Sequence, residues 1–356
     1  MIDVSIGYMP LTDAATLIAA ADFGFAGKEG LRLNLQREVS WATLRDRLVV
    51  GHVDAAHMLA PLAVATSLGM GQLRRDLKAI FVLNANGNAL TVSPALAQEM
   101  VAGQADALEG AAQSAQALGA LVLARRAAGV RPLTFASTFP YASHTYLLRK
   151  FLVAGGLDPD RDVEIIVVPP PYMVDCIENG LIDGFCVGSP WNSLAVDQGK
   201  GVILALGSEI VPEAVEKVLA TPADSHLFRH GAGEKLIRAL HAAALFVQDP
   251  ANRGEVARAL GERLSLPPEV VTRTLSGELG LDSSGRRRVS PAFIRFAGGA
   301  LNRPDPATGA LLWAEMSAAG QTATFPAEGL GPAAAQAAAS VFDPALYNSA
   351  LGRAIA

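Results

Sequence analysis

Short apolar runs alternate with amphipathic stretches from the first residues onward, at spacings that separate strands from helices. Val4–Tyr8 reads as a strand, and Thr12–Phe23 as the helix after it, with Asp13 in its first turn. Leu31–Gln36 is the next strand. Ser40 stands where a helix N-cap belongs, Trp41–Val50 is the helix it starts, and Gly51 stops it. Val53–His57 follows as a third strand and Pro61–Leu68 as a short helix. Ala79–Leu83 and Ala89–Val92 are apolar on either side of Asn84-Ala-Asn-Gly-Asn88, so two strands flank a turn there.

A second α/β stretch begins near Pro94. Ala95–Ala128 is Ala-rich and helical, with breaks expected at Gly103, Gly110 and Gly119. Leu133–Ala136 reads as a strand, Ser143–Ala154 as an amphipathic helix, Val163–Val168 as a strand, Tyr172–Glu178 as a helix and Leu181–Val187 as a strand. Beyond about residue 205 the pattern is mostly helical: Glu234–Gln248 carries an apolar stripe, and Asn252–Leu264 and Pro268–Leu275 are shorter helices. Helix and turn alternate from Asp305 to Ala356.

One phrase occurs twice. LVVGHVDAAH (Leu48 to His57) and IENGLIDGFC (Ile177 to Cys186) each read as a helix end, a Gly cap, then a buried strand opening on Asp. Gly suits the left-handed cap, and continuous apolar residues suit a strand covered on both faces. Asp54 and Asp183 hold the same place in both copies, which predicts a structural role, accepting from nearby backbone N–H groups. The repeat predicts two similar α/β lobes, and such proteins usually hold a small ligand between lobes that close by a hinge.

Composition narrows this picture. The chain has 356 residues, enough for two domains, and is 51% hydrophobic, which excludes a disordered chain. A net charge of −5 argues against broad nucleic-acid binding, though an acidic protein can hold a locally positive pocket. Cys176 and Cys186 fit no metal motif and read as reduced core thiols. No stretch of about 18 apolar residues could span a bilayer. MIDVSIGYMPL begins as a strand with no export-signal pattern, so a natural start at Met1 implies the cytoplasm.

Four segments carry candidate chemistry. In Arg37-Glu-Val-Ser-Trp-Ala-Thr-Leu-Arg-Asp46 a helix N-terminus offers N–H groups and partial positive charge, and Trp41 adds an indole donor and a flat wall. That environment suits a planar oxyanion, although a Trp so placed also packs between helix and sheet. Asn84-Ala-Asn-Gly-Asn88 supplies neutral amide donors, or is simply a hairpin turn. Thr138 to His144 opens a helix after a strand, with His144 as a donor or a structural histidine. Gly188-Ser-Pro-Trp-Asn192 is a Pro-bearing crossover in which Trp191 walls a site or packs. No HExxH, GxSxG, P-loop or dinucleotide motif stands in context, and His52 and His57 are poorly spaced for a metal.

Taken in order, the segments Val4 to Asp13, Ser40 to Asp46, Asp54 to Pro61, Leu83 to Asn88, Ala154 to Pro159 and Val187 to Asn192 resemble the nitrate/bicarbonate-binding proteins of the NrtA/CmpA type. The resemblance implies an α/β, type II periplasmic-binding-protein fold with two lobes, a hinge and an inter-lobe ligand cleft. It places residues 1–92 and 188–356 in lobe 1 and 93–187 in lobe 2. Residue by residue it implies a ligand set of Trp41, backbone near Thr43, Asn88 and His144. The family lysine falls near Val211 or Pro212, and Lys217, about a helical turn later, is the candidate. No metal, cofactor or catalytic residue is implied. The branch resembled is the cytoplasmic NasS-type nitrate/nitrite sensor. Its partner is an ANTAR-domain antiterminator, with no direct nucleic-acid or membrane contact. The alternatives are the binding protein of a nitrate, nitrite or bicarbonate transporter, and an enzyme on the same scaffold of the kind used in thiamine-precursor synthesis.

Overall fold

A computed structural model describes residues 1–71, 73–323 and 331–352 of the chain. The chain divides into two compact units, one of residues 1–85, 215–272 and 295–356, the other of residues 86–214 and 273–294. The crossings therefore lie at 85/86 and 214/215, not at the expected 92/93 and 187/188. Residues 273–294 return to the second unit, which the sequence pattern did not signal.

The first unit opens with β1 (Ile2–Tyr8), α1 (Ala15–Asp22), α2 (Phe25–Lys28), β2 (Leu31–Arg37), α3 (Trp41–Val49), β3 (Ala55–Leu59), α4 (Ala60–Leu68) and β4 (Leu77–Asn86). Strand three thus starts two residues later than the pattern suggested, because Val53 and Asp54 complete the turn. The second unit runs through β5 (Asn88–Val92), α5 (Pro94–Gly103), α6 (Ala111–Ala127), β6 (Leu133–Ser137), α7 (Ser143–Ala154), β7 (Val163–Val167), α8 (Met173–Glu178), β8 (Gly184–Gly188), α9 (Trp191–Asp197), β9 (Val202–Leu206) and α10 (Gly207–Ile210). Then come β10 (Val215–Pro222), α11 (Ala232–Gln248), α12 (Arg253–Leu264), α13 (Pro268–Ser276), β11 (Glu278–Gly280), β12 (Arg287–Val289), α14 (Pro306–Ala318), α15 (Gly331–Val341) and α16 (Ala345–Leu351). Of the expected helix-and-turn tail, residues 324–330 and 353–356 lie outside the described residues.

The two sheets share one plan. In the first unit five strands of the six-stranded sheet run in the order β4-β10-β3-β1-β2, with β1 parallel to β2 and β3, and β10 antiparallel to β3 and β4. In the second it is β7-β6-β8-β5-β9, with β6 parallel to β7 and β8, and β5 antiparallel to β8 and β9. In each unit the antiparallel strand beside the parallel set follows directly on a crossing of the chain. Asn86 and Gly87 do take positive φ (61° and 98°), as an Asn-Gly turn requires. Yet β4 and β5 belong to different sheets, so the expected hairpin is instead the crossing itself.

The repeat is real down to single atoms. Gly51 and Gly180 cap their helices at φ 78° and 66°. Beyond each cap the next N–H reaches back into the last turn, His52 to Arg47 O at 2.8 Å and Leu181 to Cys176 O at 3.0 Å. Asp54 Oδ2 accepts from the Ser5 N–H at 2.8 Å, and Asp183 Oδ2 accepts from the Thr134 N–H at 2.8 Å, each across a separation of 49 residues. The aspartates are therefore clamps between β1 and the start of β3, and between β6 and the start of β8.

In the first unit Val4, Ile6, Leu17, Leu44, Leu48, Met58, Val218, Leu236 and Leu240 are among the fully buried residues. In the second, α6 and α7 pack so closely that a Cβ on Gly119 would sit 1.9 Å from Gly155 O. Gly119 thus belongs inside an unbroken helix and serves close packing, whereas the breaks at Gly103 and Gly110 hold.

Candidate functional site

The first unit buries a charged cluster at the heart of its sheet. The segment Leu206 to Lys217, expected to be helical, ends in β10, and the strand carries Lys217 inward to zero exposure. Register shifts in β10 between Val215 and Lys217, and again after Lys217, free it from strict alternation, so that neighbouring Glu216 and Lys217 meet. Lys217 Nζ lies 2.6 Å from Glu216 Oε1 and 2.8 Å from Asp13 Oδ2. Asp13 Oδ1 lies 3.0 Å from His57 Nε2, close but off the line of a well-formed hydrogen bond. Asp13 comes from the turn leading into α1, His57 from the middle of β3, and both are buried.

Trp41 closes this cluster. Ser40 caps α3, its Oγ accepting from the Thr43 N–H at 3.1 Å, and this sets Trp41 in the first turn, where it is 1% exposed. Its ring centroid lies 5.4 Å from Lys217 Nζ, within cation–π range, and 6.0 Å from that of His57. The indole is therefore packed, as the structural alternative expected, but packed against an ammonium and an imidazole. Trp41 Nε1 and His57 Nδ1 find no hydrogen-bond partner among the described residues, and neither do the buried hydroxyls of Thr12 and Thr16. Unpaired buried groups cost about 1–3 kcal/mol each, so several together mark a place built to receive a polar guest.

Electrostatics keep the cluster ionised. Burial alone would raise the Asp13 carboxyl, but the Lys217 ammonium and the His57 ring outweigh it and hold it well below the usual carboxylate range. Burial alone would lower the Lys217 ammonium, yet Asp13 and Glu216 outweigh that and push it up. The charged pair is thus locked at ordinary pH.

In the second unit, Asn88 opens β5 opposite Gly188 of β8 and is 1% exposed. A Cβ on Gly207 would stand 3.1 Å from Asn88 O and 3.2 Å from Leu147 Cδ1, so bare backbone at α10 lets β5 approach α7. His144 lies in the first turn of α7, fully buried, its Nδ1 3.1 Å from Thr138 Oγ1. The neighbouring Ser137 and Thr145 hydroxyls meet at 2.6 Å. Cys176 and Cys186 are not joined in a disulfide, and the latter is buried in β8. Among the described residues no group of three His, Cys, Asp or Glu could hold a metal, and no helix is long and apolar enough to cross a membrane.

The structure brings together Trp41 and Lys217, two of the residues singled out from sequence. It separates out Thr43, which is exposed and spends its N–H on Ser40 rather than offering it to a guest. Asp13, His57 and Glu216 were not anticipated as partners. Asp13 read only as a first-turn acid, and His57 was weighed solely against His52 as a metal ligand. The available signal was a charged or titratable residue inside an otherwise apolar strand, at His57 and at Lys217.

Residues 2–261 match the NMT1-like family model. The chain belongs to the NMT1-like family. Within that family, the nitrate/nitrite binding protein NrtA of Synechococcus elongatus is 30% identical over 82% of this chain and 66% of its own length. The bicarbonate-binding protein CmpA of the same species is 28% identical over 85% and 67%. The nitrate import ATP-binding protein NrtC of Synechocystis sp. is 34% identical, but this chain spans only 38% of it. The crystal structure of the periplasmic nitrate-binding protein NrtA from Synechocystis PCC 6803 superposes with a TM-score of 0.87 at 25% identity, covering 98% of this chain and 88% of that one. The fold is accordingly an α/β periplasmic-binding-protein-like fold, and the chain is a homologue of nitrate- and bicarbonate-binding proteins.

Proposed function

We propose that this protein binds nitrate or nitrite, with Trp41 and Lys217 supplying donors from the first unit. The observation that carries this is an unpartnered, buried indole N–H beside a buried ammonium. A small planar monoanion needs edge donors and tolerates a flat apolar wall, and this pair offers both. By the resemblance, Asn88 and His144 are further candidate donors. The relatives named for nitrate and nitrite binding support the ligand class, and CmpA keeps bicarbonate as the competitor to exclude.

Downstream, the reading is a cytoplasmic sensor without turnover. The anion-free protein holds an ANTAR-domain antiterminator, and the anion releases it, by no more than its differential affinity for the two forms. A second reading, the binding component of an importer, draws support from NrtC, where a matching stretch sits within a protein named for nitrate import. Titration with sodium nitrate, nitrite and bicarbonate, followed by tryptophan emission, tests the ligand. A saturable nitrate response that vanishes in Trp41→Phe is expected, and no response to any of the three anions would refute binding. Co-purification tests the role: an antiterminator that leaves the column on adding nitrate supports the sensor, whereas a membrane permease as the bound partner supports import.

A further inference from the structure

Lys217 looks like the charge that draws an anion in, yet its charge is already spent. Asp13 Oδ2 at 2.8 Å neutralises it inside a fully buried cluster, where Glu216 Oε1 also lies 2.6 Å away. A monoanion arriving here would meet donors but no net positive charge. An uncompensated charge in such surroundings is costly, so another charge must arrive with it. His57 is the group placed to supply it: its Nε2 faces Asp13 Oδ1 at 3.0 Å, and its ring centroid lies 6.0 Å from that of Trp41.

Resting on the nitrate-binding reading above, we propose that Asp13 and His57 are the charge-setting pair of the anion site, and that His57 takes up one proton as the anion binds. The anion's negative charge is balanced by the imidazolium, whose Nε2 stands 3.0 Å from Asp13 Oδ1. Asp13 acts as a positioning residue, pairing with Lys217 through one oxygen and facing His57 with the other. The charged and titratable groups facing His57 are Asp13 from the turn before α1 and, beyond it, Lys217 and Glu216 from β10. The neighbouring α3 presents the neutral Trp41. In specificity terms, the site takes an anion together with a proton. Affinity therefore falls as pH rises, by as much as tenfold per unit where the linkage is one full proton.

Calorimetric titration of the full chain with sodium nitrate, at one pH in buffers of different ionisation enthalpy, counts that proton. The wild type is expected to take up about one proton per nitrate. His57→Gln should bind more weakly with no uptake, while a variant of the exposed His52, His52→Gln, should keep the uptake. Asp13→Asn, with one negative charge fewer, should take up less and lose less affinity toward high pH, a result that a merely structural role for Asp13 would not produce. Heats identical in every buffer overturn the proposal, as does uptake that survives in His57→Gln or disappears in His52→Gln. If the His57 variant does not fold, the wild-type proton count and its affinity between about pH 5 and about pH 9 still decide, since a flat profile sinks the idea. No heat from nitrate, nitrite or bicarbonate would instead overturn the binding reading itself.

Discussion

At the scale of single residues, the cluster around Lys217 sets its own tests. Trp41→Phe keeps a flat wall and loses one donor to a charged guest, worth about 1.5–3 kcal/mol, so nitrate affinity should drop roughly 10- to 150-fold in a calorimetric titration. Lys217→Met leaves Asp13 buried without its ammonium, and breaking a buried pair costs about 3–5 kcal/mol, readable as a lower urea midpoint. The pair's pH dependence has a definite sign. Asp13 is held below its ordinary value, so its contribution is complete above the unfolded carboxylate range of about 4 and is lost as pH falls further. Lys217 is raised, so its contribution is complete below about 10 and is lost as pH climbs beyond. Asp13→Asn should therefore flatten the acid limb of the stability curve below about pH 4 and leave its shape between about 5 and 9 unchanged.

At the scale of elements, the paired clamps make a matched prediction. Asp54→Ala strips acceptors from the Ser5 N–H and hydroxyl, at 2.8 and 2.6 Å, and Asp183→Ala strips one from the Thr134 N–H at 2.8 Å. Each leaves a strand N–H unpaired, so each should cost about 1–3 kcal/mol in chemical denaturation without altering the anion's proton count. Gly119→Ala pushes a methyl onto Gly155 O and should cost about 1–3 kcal/mol or prevent α6 and α7 from packing. These three positions show how unevenly a pattern can be read. The repeated Gly–Asp phrase carried its geometry with it, because a left-handed cap and a short acceptor leave few options locally. Gly119 read as a helix break because its cause, the backbone of another helix, is 36 residues away in the chain and invisible locally. The Asn-Gly segment was correctly read as positive φ and wrongly read as a hairpin, since turn geometry does not say which sheet the second strand joins.

At the scale of the whole molecule, a ligand that binds only the folded chain must stabilise it. Nitrate at 100 times its dissociation constant should add about 2.7 kcal/mol, seen as a rise in Tm that Trp41→Phe diminishes. If the sensor proposal holds, the same linkage would limit partner release, because an anion shifts a complex only by its preference for one form over the other. The two units repeat one strand order although their chain segments are interleaved. That interleaving explains why the boundaries were misplaced. A strand such as β10 looks the same in sequence whichever sheet it completes, and only its pairing with β3 and β4 assigns it.

The sequence by itself determined the α/β class, the duplicated strand–helix plan, the aspartate clamps and the place of Trp41 in the first turn of α3, because each follows from local rules of capping, periodicity and acceptor placement. Tertiary structure alone decided that Lys217 lies in a strand and that Asp13 and His57 stand beside its charge. Those facts depend on side chains far apart in the chain meeting where water is excluded, and no window along the sequence contains that encounter.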